Sequence, residues 1–192
     1  SFLTPTCEFR LAMAQRHATG AIINAASIAK TPKKVALSFR SFRGLPQSFS
    51  LEQYCPTPGD QGNHGTCVAF ANGYGVGTIL YAKTHDLTDK PLIDKYAFSA
   101  TYLYEQIKNE GDADCQNGSD PITALSTMAD GGDALLSIVP YNCGYTITDD
   151  VKQQASKYKI QDYSILFAQA GMLTTDVFVI SAEESINATK KA

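Results

Sequence analysis

Apolar residues fall into helix-spaced runs over most of the chain and into short strand-like runs towards its end. Residues 7–29 read as a helix with alanine-rich faces, interrupted or ended near Gly20. Lys30 to Lys34, with Pro32 among three lysines, form a polar break suited to a linker. A short apolar stretch, Val35 to Phe39, then leads into Arg40, Arg43, Gly44 and Pro46, and the texture changes near Leu45. Pro56 to Gly65 is rich in proline, glycine and asparagine, and an apolar helical run starts at Val68 and continues to about Lys83. Cys67 therefore stands where a long loop enters a helix. Gly73, Gly75 and Gly77 interrupt that helix at about 1 kcal/mol each relative to alanine, which predicts another backbone packed closely against it. They follow the helix start, and no lysine follows in register, so they do not form a phosphate loop.

Ser99 reads as the cap of a helix through Tyr102, Leu103, Ile107 and Lys108. Asp120 followed by Pro121 opens another, and Gly131 with Gly132 closes it. Ile160 to Phe167 and Val177 to Ile180 look like strands. Ser181 with Glu184 makes a capping box for a last helix through Ile186, Ala188 and Lys191, which reaches Ala192 with no stop signal. No internal repeat or low-complexity segment is present.

Composition narrows the function classes. Of 192 residues, 44% are hydrophobic and 18% charged, which excludes a disordered, collagenous or coiled-coil protein. A net charge of −3 argues against nucleic acid as a partner. The longest apolar stretch, Ala21 to Ala29, is short and broken by Asn24, so no membrane span is expected. No secretory signal pattern stands at the N-terminus, so any export signal has been removed or never existed. Five widely spaced cysteines (Cys7, Cys55, Cys67, Cys115, Cys143) exclude a disulfide-dense mini-protein. Four paired and one free thiol fit an exported protein, and five reduced thiols fit a cytosolic one. The nearest zinc-like cluster is Cys55, His64 and Cys67, without any Cys-x-x-Cys pair, so no metal and no cofactor is expected.

A cysteine at a helix N-terminus meets unpaired N–H groups and a partial positive charge, which favour the thiolate. Gln61, six residues earlier, can fold back to donate to a developing oxyanion. Cys67 is thus a candidate nucleophile. Taken alone, a cysteine opening an apolar helix is more often a core residue.

The run Asp60-Gln61-Gly62-Asn63-His64-Gly65-Thr66-Cys67-Val68-Ala69-Phe70-Ala71 resembles the active-site segment of papain-like (family C1) cysteine peptidases. Further resemblances follow in order: Leu45-Pro46, Phe98-Ser99 with Leu103-Tyr104, Cys115-Gln116-Asn117-Gly118, and Val139-Pro140-Tyr141 with Cys143. Together they cover roughly residues 45–192. The resemblance implies an α+β, two-lobe fold: a helical left lobe with the nucleophile on a central helix, and the start of a β-rich right lobe. On that basis residues 1–44 are an N-terminal extension or pro-segment, 45–150 the left lobe, and 151–192 the incomplete right lobe. It also implies that Cys67 attacks a peptide carbonyl and that the Gln61 amide and the Cys67 N–H form the oxyanion hole. Gly65, Asn117, Gly118, Ser119 and Asp120 would bind substrate, with Asp120 either suiting a basic side chain or simply capping the helix at Pro121.

Three departures stand out. Thr66 and Val68 replace the usual serine and tryptophan. His64 occupies the place of a disulfide cysteine, leaving Cys115 free or paired with Cys55 or Cys143. The general base is the third. All three histidines, His17, His64 and His85, precede position 86, and eighteen helical residues would hold His85 about 27 Å from Cys67. The family's histidine and asparagine lie some 130–150 residues beyond the cysteine, near or past the end of this chain. The expectation is therefore a peptidase acting on polypeptides, with His and Asn supplied by a C-terminal part or a second chain, in a secreted, periplasmic or lysosome-like compartment. The alternative is a catalytically inactive papain-like module that binds peptides or proteins. The acceptor patterns at Asn117 and Asn187 are taken as unglycosylated.

Overall fold

The computed structural model describes residues 20–33 and 48–165. Outside them lie residues 7–19 of the first expected helix, Val35 to Phe39, the boundary near Leu45, Val177 to Ile180 and the Ser181–Glu184 capping box.

Six helices organise the described residues. α1 is Ala25–Lys30, and a single 3-10 turn follows at Glu52–Tyr54. The central helix α2 joins Cys67–Ala69, eight π-helical residues at Phe70–Gly77 and an α-helical end at Thr78–Thr84. After it come α3 (Lys90–Lys95), α4 (Ala100–Ile107), α5 (Pro121–Asp130) and α6 (Asp149–Ala155). Each of the last four starts on a side-chain cap that removes an orphan donor: Asp89, Ser99, Asp120 and Thr148. Ser99 does more than cap: its Oγ accepts from the Tyr102 N–H at 3.1 Å and donates to the Val139 carbonyl at 2.6 Å. A local signal thereby also fixes a contact forty residues away.

The core sits where the start of α2 meets α4 and α5. Val68, Ala69, Ala100, Leu103, Tyr104, Ile107, Ala124 and Met128 are buried together there. Leu103 is fully buried, so Leu103→Ala is of the kind that costs about 2–5 kcal/mol. A second cluster, Tyr102, Ala134, Val139, Val151 and Ala155, seats α6. Tyr81, Tyr96, Phe98 and Tyr158 form an aromatic group at the far end of α2. Beside it a groove of about 570 Å³ runs between Leu80, Tyr81 and Ile160.

Several expectations need correction. Gly73 and Gly77 of α2 admit side chains rather than a second backbone. A Cβ on Gly73 would lie 2.5 Å from an Asp133 carboxyl oxygen, and one on Gly77 2.9 Å from the Phe98 ring. The same glycines sit in the π-helical turns, whose wider backbone has little side-chain bulk to accommodate. Residues 20–24 are not helical: Gly20 and Ala21 pair with another segment, and the Asn24 side chain accepts from Ala26 N–H to start α1 only at Ala25. The Lys30–Lys34 break is tied down at Lys33, which bridges to Ile165. That one bridge is all the pairing among residues 160–165, so the expected strand there is absent from the described part. What is described is the helical side of the expected α+β arrangement, with the cysteine at the head of a central helix.

Candidate active site

The site is built from two loops. The first, Asp60 to Thr66, turns back on itself: the Asp60 carboxylate accepts the Gly62 N–H at 2.8 Å, and Gly62 takes a φ of +59°, open to glycine. This fold-back points the Gln61 amide into its own loop, where Nε2 donates to the His64 carbonyl at 3.0 Å. Thr66 then leads into α2, and Cys67, a free and half-buried thiol, is its first residue.

The second loop, Asp112 to Asp120, is organised by a buried carboxylate. Asp112 accepts the N–H groups of Gln116 at 2.9 Å and Asn117 at 3.3 Å, and the Tyr104 hydroxyl at 2.6 Å. The same phenol accepts the Gly118 N–H at 3.0 Å. Desolvation pushes the Asp112 carboxyl upward, but these donors outweigh it and hold its pKa below the usual value. Burial and the facing Asp112 push the Tyr104 phenol well above its ordinary range, so it stays a donor.

The loops meet directly. Gly65 N–H donates to the Cys115 carbonyl at 2.7 Å, and a Cβ on Gly65 would lie 2.6 Å from the Gln116 carbonyl oxygen. Cys115 is disulfide-bonded to Cys143, which resolves the open pairing, while Cys55, paired in a four-thiol scheme, is free. Cys55, His64 and Cys67, the nearest zinc-like cluster in the sequence, do not form a metal-ligating group among the described residues. Among those residues such a group is formed by Glu105, Cys115 and Cys143, and its two sulfurs are spent on each other.

A third segment fills the crevice between the loops. Gly20 N–H donates to Cys67 Sγ at 3.1 Å. Its carbonyl accepts the Ser119 N–H at 2.7 Å, and Ile22 N–H donates to the Ser119 carbonyl at 2.9 Å, a one-bridge parallel pairing centred on Ala21 and Ser119. There is no room for side chains here. A Cβ on Gly20 would lie 1.8 Å from the Gly65 carbonyl oxygen, and one on Gly118 2.2 Å from the Gly20 carbonyl oxygen. The thiol thus faces an amide donor, and the Gly20 carbonyl is turned away to Ser119.

Of the residues expected at the site, Gly65, Cys67, Gly118 and Ser119 surround this segment. Gln61 lies in the loop behind Cys67, Asn117 is exposed beside Gly118, and Asp120 caps α5 by accepting the Thr123 N–H at 2.9 Å. The Asp120 Oδ1 and the Ser119 hydroxyl are buried without a hydrogen-bond partner. Neither described histidine is directed at the thiol. His64 Nδ1 lies 3.1 Å from the Tyr141 hydroxyl, and His85 stacks on Tyr81 just past the far end of α2, its Nδ1 2.9 Å from the Tyr81 carbonyl. His17 lies outside the described residues. Sequence reasoning passed over Tyr104, Asp112 and Tyr141; two of them stand inside the quoted family resemblances, the one signal that could have raised them.

No family model and no curated protein matches the chain. Among solved structures it is similar to xylellain, a cysteine protease from Xylella fastidiosa, at 18% identity and a TM-score of 0.45, over 77% of this chain and 53% of that one. It is also similar to a structure concerning antibody cross-reactivity between the mite allergens Blo t 1 and Der p 1, at 19% identity and a TM-score of 0.47, over 72% of this chain and 42% of that one. The chain spans about half the length of these structures.

Proposed function

We propose that residues 45–192 are the nucleophile-bearing portion of a papain-like cysteine peptidase, held closed in a zymogen-like form by the segment around Gly20. The observation that carries this reading is the Gly20 N–H on Cys67 Sγ in a crevice shaped for extended backbone. Once residues 20–22 leave, the Ser119 N–H and carbonyl are available to a polypeptide substrate laid along the same edge.

In the reaction, the Cys67 thiolate forms a bond to the scissile carbonyl carbon while the carbonyl π electrons move to oxygen. The Cys67 N–H and the Gln61 amide stabilise that oxyanion. Collapse expels the amine, which takes a proton from an imidazolium, and water then hydrolyses the thioester. His and Asn come from a C-terminal part or second chain outside residues 1–192. The Cys115–Cys143 disulfide supports an oxidising compartment, secreted, periplasmic or lysosome-like. The buried, unpartnered Asp120 Oδ1 supports a basic side chain on the substrate beside α5.

The test is hydrolysis of a fluorogenic peptide library by the complete, processed protein. Activity that falls at least about a thousandfold in Cys67→Ser supports the reading. Peptide binding with no turnover in either protein would favour the inactive binding module instead.

A further inference from the structure

We infer that Tyr141 is a positioning residue for the oxyanion side of this site, a role that rests on the peptidase reading above. Its phenol touches the first loop at three points. It lies 2.7 Å from the Gln61 carbonyl, 2.9 Å from Thr66 Oγ1 and 3.1 Å from His64 Nδ1. A phenol has one proton to give and two lone pairs to offer. The Gln61 carbonyl can only accept, so the Tyr141 proton goes there. Thr66 Oγ1 and His64 Nδ1 must then both donate, which assigns a proton to His64 Nδ1. All the bonding capacity of the hydroxyl is therefore spent on alternate stretches of one seven-residue turn that ends at Cys67.

The phenol is a fixed post because the chain behind it is held at three successive residues. Asn142 N–H donates to Thr101 Oγ1 at 2.9 Å, Cys143 is bonded to Cys115, and Gly144 N–H donates to the Glu105 carboxylate at 2.7 Å. Phe70 packs edge-on against the Tyr141 ring at 4.9 Å. Burial, with the nearby Asp60 charge, pushes the phenol pKa up, so the donor proton is retained throughout the neutral range. By pinning the backbone of Gln61 at one end and Thr66 at the other, Tyr141 sets the distance between the Gln61 amide and the Cys67 N–H. Its hydroxyl bonds to the first loop, while the thiol takes the Gly20 N–H. Its effect should reach catalysis only through the loop.

The experiment is Tyr141→Phe in the complete, processed protein, read against Gln61→Ala and the double variant. A kcat lower by about tenfold or more with KM within about twofold is expected, because the interaction matters to the transition state more than to substrate binding. Alkylation of Cys67 by iodoacetamide, which develops no oxyanion, should change by less than about threefold. On the Gln61→Ala background, Tyr141→Phe should cost less than about twofold, since residues acting as a unit are non-additive. An unchanged kcat, or a full loss repeated on the Gln61→Ala background, overturns the assignment. Should Tyr141→Phe fail to fold, Thr66→Val removes one bond at similar volume and is expected to cost about threefold in kcat, again only when Gln61 is present. If the unaltered protein turns over no peptide, the peptidase reading fails separately and hydrogen exchange decides on Tyr141. Exchange over residues 61–67 about tenfold faster in Tyr141→Phe, with the rest of the chain unaltered, supports the post; unaltered exchange there overturns it.

Discussion

The two walls of the crevice do the same job with different chemistry. The Asp112–Asp120 wall hangs on an ionised, buried carboxylate that gathers two backbone N–H groups and a phenol. The Asp60–Thr66 wall hangs on a neutral phenol, Tyr141, with a carbonyl, a hydroxyl and an imidazole around it. Charge-assisted bonds are roughly twice as strong as neutral ones, and leaving their partners unsatisfied is costlier. The Asp112–Asp120 wall should therefore be the stiffer one at neutral pH. The wall that carries Gln61 and Cys67 should be the more easily adjusted. A crevice with one stiff and one adjustable side can grip an extended chain, as it grips residues 20–22, while the Gln61 and Cys67 side shifts independently.

The largest way to break this comparison is to remove the carboxylate. Asp112→Ala strands the Gln116 and Asn117 N–H groups and the Tyr104 hydroxyl, and is expected to cost about 2–4 kcal/mol in denaturant unfolding. Asp112→Asn, which keeps one acceptor oxygen, should cost less. Equal and small losses would mean that the wall does not depend on this charge.

Acid should separate the walls next. The Asp112 pKa is lowered in the folded protein, so its contribution is fully present above the unfolded value of about 3.9 and is lost as pH falls through the folded one. Tyr141 shifts the other way: its raised pKa leaves its contribution intact below the unfolded value of about 10, to be lost only as pH rises through the folded one. Hydrogen exchange at Gln116 and Asn117 should therefore accelerate below about pH 4 before exchange at Gly65 and Thr66 does. The reverse order would contradict the assignment of charge. Buried Asp133 offers an internal control of opposite sign. Desolvation holds its carboxyl well above the ordinary range, and the Ala134 N–H offsets this only in part. Neither of its oxygens has a hydrogen bond of ordinary geometry. Its contribution is thus full below the unfolded value and is lost as pH rises through the folded one, whereas that of Asp112 is full above the unfolded value.

The smallest effect expected is at Asp120. Asn caps a helix about as well as Asp, so Asp120→Asn should change stability by less than about 0.5 kcal/mol. If its second oxygen meets a basic substrate side chain, the preference for Lys or Arg there should fall about tenfold in kcat/KM. An unchanged preference would leave Asp120 a cap and nothing more.

Local features were legible from residues alone. Ser99 and Asp120-Pro121 announce their helices because a cap is settled within four residues. Cys67 at the loop-to-helix junction was legible for the same reason, whereas the Gln61 amide turns to the His64 carbonyl of its own loop. The posts that hold the walls were not legible. Tyr141 acts across 75 to 80 residues, and a lone tyrosine carries no mark of such a partner. Asp112 carries no local mark either, because only burial against Tyr104 gives it a role. The π-helical turns of α2 were also hidden: three glycines signal a tolerance for close approach, without saying whether backbone or side chain will use it. Gly20 was read as a helix break, yet nothing local shows that its N–H would meet a thiol 47 residues away.

The central claim is that Cys67 is the nucleophile and that the Gly20 segment covers it. The most direct measurement is the iodoacetamide alkylation rate of Cys67 against that of Cys55, the other free thiol among the described residues, in the complete protein and in Gly20→Ala. Alanine at position 20 would drive a Cβ to 1.8 Å from the Gly65 carbonyl oxygen, so the segment must leave or shift. The account predicts that Cys67 alkylation rises at least about tenfold in Gly20→Ala, overtaking Cys55, whose rate stays the same. Equal rates at both thiols, unchanged by the substitution, would contradict it.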